Sequence, residues 1–281
     1  MSGAFGCAHI HFDGQLVKNI KLVCAKFRPT LAASISMIRL SHFCRVMTAL
    51  AFLAIAANST AVMTERKVTG KGKVPYILVL PDNYDSKKEH DLIIPLHGAG
   101  DSAANLAQVW SPVVTKRSAT IVAVPQGSLG QGNAFTWNST DVTRIIEVVE
   151  HVLKNYSVNP KRVLLTGFSA GCGMGFVVIA QKPEMFALFG GIAGAIPPQF
   201  PIQNLKNAAG KVPIYYAVGT QDGNNAGVFT PTVNALRKMG FEVKGEQPNI
   251  GHTFRAEEVK NMLAWFDELG KKGEESDLPR R

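Results

Sequence analysis

A short apolar run, "RVLLTG" over residues 162–167, ends on a glycine and continues as "FSAG", so Ser169 stands two residues after Gly167 and two before Gly171. That spacing suits a serine nucleophile at a tight strand-to-helix turn, where neighbouring backbone passes too close for any side chain larger than hydrogen. The residues that follow, "AGCGMGFVVIAQ" (Ala170–Gln181), are fit to open a helix, so strand, turn and helix come in the required order. A serine hydroxyl attacks well only when a base takes its proton, and the base needs an acid to hold its tautomer. In sites built on such a turn, the acid and then the base follow the nucleophile along the chain. His252, in "NIGHTF", is the single histidine after Ser169 and therefore the candidate base. Four carboxylates lie between the two: Glu184, Asp222, Glu242 and Glu246. Only Asp222 directly follows an apolar strand, in "YYAVGTQD", which makes it the candidate acid. Glu184 falls at a helix end, and the other two lie in "FEVKGEQ", which alternates like an edge strand with its charges outward.

Acyl transfer also needs donors already aimed at the oxyanion that develops. The N–H of Ala170, the residue after the nucleophile, is one candidate. The second should come from the loop after an earlier strand, and "PLHGAGDS" (residues 95–102) ends such a strand with glycines that let backbone approach a ligand. Its Ala99 N–H is the candidate donor. His97, between the strand and the glycine turn, is expected to support that loop. His90, ahead of a strand, and His151, in mid-helix, are expected to be solvated.

These groups need elements to hold them. Apolar runs fit for buried strands recur at residues 74–81, 91–98, 120–127, 162–167, 188–196 and 212–219. Interleaved with them, residues 142–156, 229–240 and 256–270 carry apolar side chains at helical spacing. The alternation predicts an α/β fold, a mostly parallel sheet with helices on both faces, and in such sheets ligands sit beyond the carboxyl ends of the strands. Residues 62–270 read as one catalytic domain without internal repeat, and the charged, Pro-containing tail 271–281 as disordered.

Residues 37–61 have a secretory layout: Arg39 and Arg45, an apolar stretch, then small residues with "AIA" and "STA" as cleavage candidates. The apolar stretch is shorter than the roughly 20 residues of a bilayer span. A secreted or periplasmic chain without a stable membrane span is the expectation. Met37 is the expected initiator, with residues 1–36 an upstream segment; the alternative is a signal with a long leading n-region. Six of the 30 Lys and Arg but only one of the 21 acids, Asp13, precede Met63, leaving 24 basic against 20 acidic residues. The overall charge of +9 is thus no sign of nucleic-acid binding. Cys7, Cys24 and Cys44 fall within the same leading segment, so Cys172 stands alone and stability rests on the core rather than on disulfides.

The motifs "YILVLPDNYD", "LHGAG", "VPQG", "VGTQD", "GHTF" and the long run from Asp141 to the elbow resemble those of the α/β-hydrolase superfamily, in particular the esterases related to polyhydroxybutyrate depolymerases and feruloyl esterases. Around "GAG" and "GHTF" the chain is also similar to the phospholipase/carboxylesterase group. The resemblance implies a serine carboxylesterase that acts on a small-molecule ester with neither cofactor nor metal, with Ser169, Asp222 and His252 at the positions of its catalytic groups and Trp137 in a pocket wall. Two departures from the depolymerase branch, the absence of its paired cysteines and of a following polymer-binding domain, argue against attack on solid polyester. A serine peptidase or a thioesterase on the same fold would use the same residues, and a non-catalytic binding protein would be expected to lack one of them.

Overall fold

A parallel strand covered on both faces has no solvent side and must be apolar throughout, and β3 (His90–Leu96) meets that demand: of its residues only Asp91 is more than marginally exposed. In the computed structural model, which describes residues 61–67, 74–253 and 255–277, β3 lies at the centre of an eight-stranded sheet. The chain divides into residues 1–58 and 59–281, and the first unit, which holds the expected upstream segment and residues 37–58 of the expected signal segment, lies outside the described residues.

The sheet strands are β1 (Ala61–Lys67), β2 (Pro75–Pro81), β3, β4 (Thr120–Pro125), β7 (Val158–Phe168), β8 (Leu188–Ile192), β9 (Ile214–Ala217) and β10 (Val243–Glu246), with β5 (Leu129–Gln131) and β6 (Ala134–Thr136) forming a separate hairpin. Their order is β1-β2-β4-β3-β7-β8-β9-β10, antiparallel where β1 meets β2 and β2 meets β4, parallel from there on. Helices α1 (Ala103–Lys116) and α5 (Ala256–Asp277) pack on one face through Trp110, Val114, Met262 and Phe266. Helices α2 (Asp141–Asn155), α3 (Ala170–Gln181) and α4 (Phe229–Lys238) cover the other through Ile145, Val149, Phe176 and Leu236. This is the α/β-hydrolase arrangement. Among the described residues no helix is long and apolar enough to cross a membrane.

Strand order reverses at β3 and β7: β3 leads through α1 to β4 on one side, whereas β7 leads through α3 to β8 on the other. A crevice opens at such a point because the connections diverge. The register Leu96↔Gly167 brings both strands to an end side by side, so the His97–Gly98 and Phe168–Ser169 segments leave the sheet as neighbours. The opposite end is closed by charge. Asp91 accepts from Arg162 at 2.8 and 2.9 Å and from Arg117 at 3.3 Å, while Arg117 grips both oxygens of Asp267 at 2.7 Å. The Arg117 guanidinium, aided by Arg162, holds the Asp267 carboxyl below its ordinary range against partial burial.

The structure corrects several expectations. His90 is buried at the start of β3, tilted against Tyr84 with centroids 4.9 Å apart and with Nδ1 3.1 Å from Ser157 O, because the starts of β3 and β7 pair there and Tyr156 packs edge-on against Tyr84. His151 is half-buried rather than solvated, edge-on to Tyr76. Glu246 on the edge strand β10 does not point its charge outward: it accepts from Tyr215 Oη at 2.7 Å and Asn261 Nδ2 at 3.0 Å, which ties β10 to α5. The tail expected to be disordered is helical over residues 271–277, since α5 runs on through Lys- and Glu-rich sequence of good helix propensity; residues 278–281 lie outside the description.

Candidate active site

The polar groups gather at the carboxyl ends of the strands. Ser169 follows β7 with φ 55° and ψ −117°, a conformation that non-glycine residues adopt only under constraint from surrounding structure. The glycines explain how the turn is tolerated. A Cβ on Gly167 would lie 2.2 Å from Gly171 O, and one on Gly171 would lie 2.2 Å from Leu96 O. The first would force the end of β7 away from the opening of α3, and the second would force the turn away from the end of β3. The Ser169 N–H donates to Ile192 O at 2.9 Å, which pins the turn to the end of β8.

His252, on the loop after β10, brings Nε2 to 3.0 Å from Ser169 Oγ and Nδ1 to 2.8 Å from Asp222 Oδ2. Phe168 packs against its ring at 5.0 Å between centroids. Asp222, in the turn after β9, is fully buried. Burial opposes its ionisation, but hydrogen bonds from His252, the Asn225 side chain and the Asn224 N–H outweigh this and hold the carboxyl below its usual range. Buried carboxylates are retained only where donors replace water in this way. Glu184 and Glu242 are not drawn in; Glu184 is exposed and sits 3.7 Å from Lys182.

The loop after β3 lies against the elbow: a Cβ on Gly98 would stand 3.5 Å from Ser169 Cβ. Its amides are mostly engaged, Gly100 N–H with Phe135 O at 2.8 Å and Asp101 N–H with Gly98 O at 3.4 Å. The Ala99 N–H makes no internal hydrogen bond among the described residues. His97 is fully buried beneath the loop. The Gly127 N–H donates to Nε2 at 3.1 Å, which leaves Nδ1 as the protonated nitrogen donating to Gly98 O at 2.8 Å. Burial pushes the His97 imidazole below its ordinary range, in keeping with this neutral tautomer.

Trp137 serves two ends. Its ring stacks on His97 at 4.5 Å and its Nε1–H donates to His97 O at 2.8 Å, while the residue also borders a cavity of about 590 Å³. That cavity opens over Ser169 and His252 and is walled by Met174, Val177, Pro197 and Phe200. A larger groove of about 700 Å³ lies between α1 and α5, away from these groups. Cys172, under the elbow, is buried, and that burial pushes its thiol up and keeps it protonated. Among the described residues no cluster of three or more His, Cys, Asp and Glu is arranged to hold a metal.

Sequence reasoning missed Asn225, whose amide touches both Asp222 oxygens, and Asp141, whose buried carboxylate accepts from the Ser128 and Asn138 N–H groups and so fixes the segment carrying Trp137. In sequence, Asn225 is one letter of the turn-like string "DGNN". Asp141 reads there as an ordinary acidic residue in a first helical turn.

The model of the prolyl oligopeptidase family (Peptidase_S9) matches residues 110–196. A probable feruloyl esterase C from Aspergillus clavatus is 28% identical over 167 residues, 52% of this chain and 60% of that one. Feruloyl esterase D from Neurospora crassa is 30% identical over 210 residues, 69% of this chain and 67% of the relative. The chain spans about half the length of the curated relatives it matches first. A solved ferulic acid esterase shares the fold, with a TM-score of 0.60 at 16% identity, over 75% of this chain and 100% of its own.

Proposed function

Because the chain belongs to the α/β-hydrolase family of esterases that contains feruloyl esterase D, we propose that it is a serine carboxylesterase hydrolysing short acyl or small aromatic esters through an acyl-enzyme on Ser169. The observation that carries this reading is the unbroken chain of hydrogen bonds from Ser169 Oγ through His252 to Asp222, set at a strained turn at the mouth of a cavity. His252 Nε2 takes the hydroxyl proton as Oγ attacks the ester carbonyl, then returns it to the departing alkoxide. Asp222 accepts from Nδ1–H, which keeps Nε2 free to receive that proton and stabilises the imidazolium that results. Water repeats the sequence to release the acid. The signal-like layout of residues 37–61 supports export of the enzyme.

The Ala170 and Ala99 N–H groups are the donors to the oxyanion. Gly98 C=O and Ala99 N–H belong to one trans peptide and point in opposite directions. His97 Nδ1–H holds the carbonyl on its own side at 2.8 Å, so the Ala99 N–H turns away from His97, on a loop that abuts Ser169. Replacing His97 by phenylalanine keeps a ring to stack on Trp137 and removes that hold. The expected result is a fall in kcat of about 10- to 100-fold, somewhat less than the full loss of one oxyanion donor, with KM changed little. His97→Asn, which keeps a short donor, should lose less. An unchanged kcat in the phenylalanine variant, with its melting temperature near that of the wild type, removes His97 from this role.

A cavity of about 590 Å³ bordered by apolar side chains rewards acyl groups only as far as they stay inside it. Each buried methylene contributes about 0.8 kcal/mol, and the gain ends where the chain emerges into water. Across p-nitrophenyl esters, kcat/KM should rise over the first few acyl carbons and level off or fall before eight; methyl ferulate should be turned over and a polyhydroxybutyrate film should not be cleared as fast as soluble ester. A steady rise past eight carbons contradicts the short-acyl reading. The family match over residues 110–196 favours a peptidase as the second reading, so the panel includes a peptide p-nitroanilide. Its hydrolysis in preference to every ester would replace esterase by peptidase.

A further inference from the structure

The hydrogen bonds around the site form a closed circuit, and one residue with no assigned role completes it. The Ser169 N–H donates to Ile192 O at 2.9 Å, which fixes the nucleophile to the end of β8. The next residue, Ala193, is buried in a left-handed conformation with φ 49°, and its carbonyl accepts from Asn225 Nδ2 at 3.3 Å. The same Nδ2 lies 3.2 Å from Asp222 Oδ1 and 3.1 Å from Oδ2. From there the path returns through His252 to the Ser169 hydroxyl. Beside the Ala193 N–H, which donates to Ala217 O at the end of β9 at 2.8 Å, Asn225 is the ring member whose side chain joins the β9 turn to the β8 end.

We propose that Asn225 is a positioning residue, whose side-chain amide clamps the Asp222 carboxylate against the end of β8 and sets the direction in which it meets His252. The inference rests on the serine-esterase reading and extends it. An amide nitrogen has two hydrogens, and the geometry gives each a use: one to the carboxylate, one to Ala193 O. Without the clamp, Asp222 Oδ1 keeps the backbone N–H groups of Asn224 and Asn225, each at 3.2 Å. Oδ2 then has only His252 to orient it. The carboxylate can turn about its bond to the chain, and the imidazole turns with it. Asn225 Nδ2 approaches His252 Nδ1 to 3.5 Å, so two donors converge on one acceptor and only a hydrogen-bond donor fits between Asp222 and Ala193 O. The titratable groups that face this pair are His252, from the loop after β10, and Tyr216 of β9, whose hydroxyl is buried and donates to Gly194 O at 2.6 Å. The ion-pair partner of Asp222 among the described residues is His252.

Three substitutions separate orientation from packing. Asn225→Leu keeps the branched shape at a larger volume and removes the donor, Asn225→Ala removes both, and Asn225→Asp keeps the shape but puts an acceptor where two acceptors already converge. Hydrogen bonds to charged groups are among the stronger ones, and the expected loss in kcat for the Leu and Ala variants is about 10-fold, with KM within about twofold of the wild type. Asn225→Asp should be the worst of the three near pH 8, down about 100-fold, and should recover relative to the wild type as the pH falls toward 6, because a shared proton between two adjacent carboxyls restores a donor. A packing role gives the reverse order, with Leu and Asp close to wild type and Ala impaired, and with no change in the shape of the pH profile. That order, or wild-type kcat in both Leu and Ala variants, overturns the proposal. If the Asp variant does not fold, as judged by its melting temperature, the Leu and Ala pair still decides. Ser169→Ala and a fluorophosphonate probe are run alongside. Full activity without Ser169 would remove the serine-esterase reading on which this proposal rests, whereas a labelled Ser169 with normal Asn225 variants removes only the role of Asn225.

Discussion

Ser169→Ala should leave the protein folded and lower ester hydrolysis by about 10⁵- to 10⁶-fold, the loss typical when a triad nucleophile is removed. The substitution deletes one oxygen that faces the cavity and leaves Cβ in place, so no void opens in the core and the backbone conformation at φ 55° is met by a residue of the same shape. What remains is the oxyanion donors and the binding surface, which by themselves give modest acceleration over water. The melting temperature should stay within a few degrees of the wild type, because the only bond lost is that between Oγ and a part-exposed imidazole. Kinetics on p-nitrophenyl butyrate and a thermal melt read both quantities. Retained turnover in a folded variant would move the nucleophile elsewhere.

Asp222→Asn should lower kcat by about 10³-fold or more, by a route the surroundings of the carboxylate dictate. One oxygen of Asp222 faces three donors, the N–H groups of Asn224 and Asn225 and the Asn225 amide. An asparagine at this position must keep its carbonyl oxygen toward them, which turns its NH2 toward His252 Nδ1. Two donors cannot face each other there, so the imidazole shifts to the tautomer with its proton on Nε2, and that nitrogen can no longer accept from Ser169. Binding of substrate does not depend on the tautomer, so KM should move much less than kcat. Glu184→Gln, on an exposed carboxylate, should change the rate by less than about twofold, since surface substitutions away from such features cost little. The opposite pattern would transfer the acid role to Glu184.

The parallel core of the fold was open to sequence reading because its strands are short apolar runs separated by helices of clear periodicity. β1 was not, since "AVMTERK" follows a stretch of small residues that reads as a cleavage region and owes its strand to antiparallel pairing with β2. Helix α1 was hidden by Pro112 in mid-helix; its start is secured by Ser102, whose hydroxyl accepts from the Asn105 N–H at 3.2 Å. That Ser169, Asp222 and His252 would come together was legible because the chemistry expected of them constrains their order and their places after strands. The place of Trp137 beside the cavity was expected only from the family resemblance, and its bond to His97 O was not legible at all, for it depends on a contact across 40 positions in the chain. Asn225 and the buried His90 illustrate the same limit. Each owes its environment to strands that meet only in three dimensions.

Reaction with a fluorophosphonate, followed by peptide mapping, tests the central claim most directly, because the reagent records which oxygen the site activates as a nucleophile. One adduct per chain on Ser169 is predicted, formed at a rate that falls steeply in Asp222→Asn and is zero in Ser169→Ala. An adduct on another residue, or an enzyme that hydrolyses esters at full rate while Ser169 stays unmodified, would contradict it.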